Sequence, residues 1–165
     1  MDTPADESAH EDLWRTFHIV SDWIKVADTK AGATLAVDGA VLAVTAARLR
    51  GSPAPGVPAI LVSSAAIALA AASALLAIWT VLPRARRLRI NSISHYGTIA
   101  AFASPEEYCA AALTTLTDLD QLSKNITHHI WAFSRAAVRK YQLVRWAIML
   151  LAGAMLVGTL GLLLP

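Results

Sequence analysis

An isolated aspartate is the most pointed chemical feature of this sequence. Asp38 stands near the middle of AGATLAVDGAVLAVTAARL (31–49), an apolar stretch long enough to enter a bilayer. An ionisable residue at membrane depth faces a neighbouring helix or an aqueous path, so it is a functional candidate by default. Asp28 and Lys30 lie just before that stretch, where interfacial snorkelling and local ion pairing are ordinary. A second cluster is Arg84, Arg86, Arg87 and Arg89, the densest positive run available to a phosphate or an anionic lipid. Asn91, Ser92, Ser94, His95 and Tyr96 follow and could supply ribose or base contacts, so Arg84–Arg89 with His95 and Tyr96 form the candidate nucleotide site.

The remaining reactive residues argue against catalysis. His128 and His129 are adjacent and point about 100° apart on a helix, with no further His, Cys or carboxylate three or four residues away. No metal site is expected there. Asp28 and Asp38 are separated by about 15 Å on one helix, too far to share a proton. Gly-rich phosphate loops, HExxH and nucleophile–base motifs are missing. Cys109 is the only cysteine, which excludes an intrachain disulfide. We therefore expect a non-enzymatic protein without a cofactor. A net charge of +2, with Trp, Tyr and Phe scattered rather than interleaved with the basic residues, also argues against nucleic acid as a partner.

The elements that must position these residues follow from hydropathy. Hydrophobic residues make up 56% of the 165 and charged residues 16%, against about 25% charged in ordinary soluble domains. Val57–Leu82 holds no charge over 26 residues, and Trp146–Leu164 holds none over nineteen. With 31–49 they predict three transmembrane helices in an all-α integral membrane bundle, organised as a single domain over 1–165. Residues 1–12 form an acidic tail, without the basic start of a secretory signal. Eight Lys or Arg residues flank the segment between the second and third spans, against Arg48 and Arg50 between the first two. This asymmetry places 83–145 and the N-terminus in the cytoplasm, and the C-terminus outside.

The cytoplasmic parts read as a helical stalk. Over residues 13–30 and into the first span, Leu13, Phe17, Val20, Ile24, Ala27 and Ala31 repeat at 4-3-4-3-4 spacing, a coiled-coil-like seam. Continued upward, it places Thr34, Asp38 and Thr45 on one inward polar face. Ser104-Pro105-Glu106-Glu107 is a capping box, in which Glu107 is expected to reach back to the cap N–H. Tyr108, Ala112, Leu116, Leu119, Leu122, Ile126, Ile130, Phe133 and Ala137 then repeat every three or four residues. No Gly or Pro interrupts, so one helix of about 60 residues and about 90 Å is expected from Pro105 into the third span. Small residues along the last two spans suit close helix packing, within one chain or between chains.

The stretch WIKVADTKAGATLAVDGAVLAV (Trp23–Val44) resembles the W-I-x-x-A-D-x-K-A-x-x-x-L-A-x-N/D-G signature of Pycsar effector proteins with transmembrane helices. The similarity continues through the second span, the SPEEY box (Ser104–Tyr108) and Lys140-Tyr141. Its motif core is Ala27, Asp28, Lys30 and Ala31. The resemblance implies an antiphage effector in the bacterial inner membrane, activated by cCMP or cUMP from a neighbouring cyclase, that causes abortive infection. A homo-oligomer in contact with lipid is the expected assembly. Asp38 stands where relatives are expected often to carry Asn, so a fixed charge there is not essential to the pattern. The alternative is a membrane anchor or scaffold whose stalk binds a partner protein.

Overall fold

The computed structural model describes residues 4–51, 56–82 and 96–162. Among these, every regular element is a helix: α1 (Pro4–Gly51), α2 (Val57–Val81), α3 (Tyr96–Ile99), α4 (Pro105–Thr117) and α5 (Leu119–Leu162). Three of them, α1, α2 and α5, are long and apolar enough to cross a membrane. The protein is therefore an all-α membrane protein. The spans expected at Ala31 and Trp146 are portions of the longer helices α1 and α5.

The chain divides into two compact units. The first comprises residues 1–24 and 84–137, the second residues 25–83 and 138–165. In the first unit, Val20, Leu122, Ile126, His129, Ala132 and Ala137 are buried. Phe17 of α1 sits against Phe133, with ring centroids 5.6 Å apart, and against His129 at 6.1 Å. The α1 seam read from spacing is observed: Val20, Ala27, Ala31, Thr34, Asp38 and Thr45 are buried, and Leu13, Phe17, Ile24 and Val41 are half-buried.

The long helix expected from Pro105 is broken at Asp118, whose backbone is extended (φ −103°, ψ 99°). The break has a clear cause. The Asp118 side chain accepts a hydrogen bond from the Gln121 N–H at 3.1 Å, and its carbonyl accepts from the Leu122 N–H at 2.9 Å. Asp118 is the N-cap of α5, and Asp118-x-x-Gln121 has the spacing of a capping box without any Gly or Pro to mark it. On either side of the break, Leu116 near the end of α4 and Leu119 at the start of α5 are exposed rather than packed. On α5 the seam position expected of Ile130 belongs to His129, which is buried while Ile130 is half-buried and His128 is exposed. Asp118→Ala should cost about 1 kcal/mol of local helix stability. The check is faster amide exchange at residues 119–122 than in the parent protein.

The Ser104 cap forms, with Ser104 Oγ accepting from the Glu107 N–H at 3.2 Å. Glu107 reaches the Ala103 N–H at 3.0 Å, one residue before the cap N–H expected from sequence. Glu106 accepts from its own backbone N–H and from the Ser104 hydroxyl, which together hold its carboxyl below the usual glutamate range. Its support for α4 is complete above that range and is lost as pH falls through the lowered value. Amide protection of residues 106–108 should therefore drop on acidification, and Glu106→Gln should remove its share of that drop.

Candidate functional site

The second unit is inside-out by the standards of a soluble bundle. Its inward residues are mostly small or polar: Ala59, Ser63, Ala66, Ala70, Ser73, Ala77 and Thr80 on α2, and Ala147 and Ala154 on α5, beside the larger Val144 and Leu151. Large apolar side chains face outward, among them Leu35, Val44, Leu61, Leu75, Met149, Leu156 and Leu160. Lipid offers no hydrophobic drive for helix association, so small inward residues bring backbones together while large ones meet hydrocarbon. Trp79 and Trp146, both more than half exposed, have the outward placement of interfacial anchors. The glycines of α5 pack within the chain: a Cβ at Gly153, Gly158 or Gly161 would lie 3.7 Å from Leu69, 3.9 Å from Ala66 or 3.1 Å from Val62. The descending partners place α2 antiparallel to α5.

Two polar junctions tie these helices together. At the first, Lys140 Nζ donates to both carboxylate oxygens of Asp28, at 2.5 and 2.8 Å. The ion pair is only partly exposed, 22% at Lys140 and 36% at Asp28. Asp28 therefore pairs across helices rather than with its neighbour Lys30, whose ammonium lies 5.6 Å from the centre of the Tyr141 ring. Ala27 and Ala31 have no exposed surface, and Ala31 meets Ala77 and Val144 in the unit's core. The motif thus reads physically: two alanines allow close approach, and Asp28 and Lys30 meet Lys140 and Tyr141 in turn.

The second junction lies at Asp38, which is fully buried. Ser73 Oγ of α2 lies 2.8 Å from Asp38 Oδ2 and 2.8 Å from the Ala147 carbonyl oxygen of α5. One hydroxyl links all three helices. Thr34 and Thr45 are buried on the same face, as their spacing predicts, but they do not reach across. Their hydroxyls donate to Lys30 and Val41 carbonyls of their own helix, both at 2.8 Å. The cross-helix chemistry of the polar face therefore resides in Asp38. Its partner Ser73 looks, in sequence, like one more small residue of an Ala-rich span, and no motif marks it.

Arg84, Arg86, Arg87, Arg89 and His95 lie outside the described residues, and Tyr96 opens the short α3. An open groove of about 310 Å³ in the second unit is mainly apolar, lined by Val37, Val41, Val44, Ala154, Met155 and Gly158, with Thr45, Ser63, Thr159 and Arg48 as its polar members. That lining suits hydrocarbon rather than a nucleotide. Among the described residues no group of three His, Cys, Asp or Glu side chains gathers that could hold a metal ion.

Three membrane-length helices, knit by small residues and by two polar junctions, define a multi-span helical membrane protein. The comparisons with known proteins give the family. Residues 12–165 match the Pycsar effector protein domain, so the chain belongs to the Pycsar effector family. A relative from Propioniciclava tarda, the Pycsar effector protein PtPycTM, is 30% identical over 163 residues, covering 95% of this chain and 77% of the relative. No solved structure matches this chain.

Proposed function

We infer that this protein is the membrane-acting effector of an antiphage system signalled by a cyclic pyrimidine mononucleotide, cCMP or cUMP. A neighbouring cyclase makes the signal on infection. The effector then impairs the bacterial inner membrane, and the cell dies before phage matures. It does so without catalysing a reaction. The observation that carries this reading is the family match over 12–165, joined to a membrane unit with a polar residue buried at its centre.

In this reading the N-terminus and residues 83–145 are cytoplasmic and the C-terminus is outside, as the Lys and Arg distribution favours. The nucleotide is bound on the cytoplasmic side, with Arg84, Arg86, Arg87 and Arg89 as phosphate partners and His95 and Tyr96 near the base. The active form is a homo-oligomer, which the exposed Leu113, Leu116 and Leu119 support as an apolar contact face. The nucleotide acts by binding one state of the oligomer better than the other, and the favoured state leaks.

The cellular test is membrane potential in bacteria expressing this protein with an active or an inactivated pyrimidine cyclase. Depolarisation with the active cyclase alone is expected. An unchanged potential, with the protein confirmed in the membrane, would instead favour an anchor or scaffold role. Asp38→Leu should abolish the response in the same assay, because leucine removes the carboxyl that links α1 to Ser73 of α2.

A further inference from the structure

We propose that Asp38 is a proton-binding site inside the membrane, occupied in the resting protein, and that its bound proton completes a hydrogen-bond chain through Ser73 to the Ala147 carbonyl. The argument is a count of hydrogens. Ser73 Oγ lies 2.8 Å from both Asp38 Oδ2 and the Ala147 carbonyl oxygen. A serine hydroxyl has one hydrogen, and a carbonyl oxygen has none to give. If Asp38 were a carboxylate, one of these two contacts would set lone pair against lone pair at hydrogen-bond distance. With a proton on Oδ2 both are satisfied: Asp38 donates to Ser73 Oγ, and Ser73 donates to the Ala147 carbonyl.

The surroundings point the same way. Asp38 is fully buried, and its Oδ1 has no hydrogen-bond partner. An ionised carboxylate is stable at such depth only with a counter-charge or several donors. Among the described residues no charged side chain pairs with it. The nearest charged residues on α1 are Lys30 and Arg48, each at least eight positions away, and α2 has none. On α5 the only charged residue beyond Lys140 is Arg145, which is exposed. Thr34 and Thr45 spend their hydroxyl hydrogens on their own helix. Among the described residues the donor that meets the carboxyl is thus a hydroxyl that lies equally close to the Ala147 carbonyl, and the second hydrogen the chain requires is the acid's own.

This proposal deepens the effector reading but is tested apart from it, without nucleotide. The experiment is infrared difference spectroscopy of the full chain in lipid nanodiscs at neutral pH, wild type against Asp38→Asn. The amide can donate the same hydrogen to Ser73, so this variant should fold and elute as the parent does. A carboxylic-acid carbonyl band is expected in the wild type and should be missing from the variant. Ser73→Ala should keep the band but shift it, because the acid's hydrogen-bond acceptor is gone. A wild type with no carboxylic-acid band, or a band that persists in Asp38→Asn, would overturn the proposal. A protein that showed the Asp38 band yet ignored cCMP and cUMP would retain the proton site and lose the effector reading.

Discussion

Replacing Ala31 by leucine should destabilise the membrane unit by about 1–3 kcal/mol, the usual penalty for forcing carbons into a close-packed site. Ala31 has no exposed surface and meets Ala77 of α2 and Val144 of α5, so the added atoms have nowhere to go without separating the helices. Ala33→Leu is the matched control, two residues along on the exposed face, where leucine meets lipid. The measurement is the thermal midpoint of detergent-solubilised protein, followed by size-exclusion chromatography after heating. Ala31→Leu should fall clearly below the parent while Ala33→Leu stays with it. Equal midpoints would mean that Ala31 is not at a helix contact.

The second large effect is expected at the Asp28–Lys140 pair. Lys140→Asp would set two carboxylates where one ammonium now bridges both oxygens of Asp28. The pair is partly exposed, so solvent screening trims its worth well below that of a fully buried pair. A loss of about 1–2 kcal/mol is expected for either single reversal, Asp28→Lys or Lys140→Asp. The double reversal should regain most of it, and that recovery separates pairing from simple loss of a side chain. Lys30→Gln gives the contrast. It removes only an exposed contact with the Tyr141 ring and should cost about 0.5–1 kcal/mol or less.

The seam of α1 was open to reading from sequence because helical periodicity is a local property. The inward face that begins at Leu13 and Phe17 continues to Asp38 and Thr45 without a slip. The break at Asp118 was harder to read, because a capping aspartate differs from a surface aspartate only in its backbone angles, and the apolar spacing on either side conceals it. Leu116 and Leu119 have helical spacing yet are exposed, since that spacing assumed one axis for two helices. The partners of Asp28 and Asp38 lie at sequence separations of 112 and 35. Such pairs depend on the register of one helix against another, which no single helix encodes. The threonines mark a subtler limit: burial followed from spacing, but a threonine hydroxyl on a helix readily turns to its own carbonyl four residues back. Small inward residues were legible as packing surfaces, and only the structure assigns Gly153, Gly158 and Gly161 to contacts within the chain.

The central claim, that a cyclic pyrimidine mononucleotide converts this membrane protein from sealed to leaky, is tested most directly with purified protein in liposomes loaded with a potential-sensitive dye. Addition of cCMP or cUMP should collapse an imposed potential, while cAMP and protein-free liposomes should not respond. A potential that holds in the presence of both pyrimidine nucleotides, in vesicles shown to contain correctly inserted protein, would contradict the account.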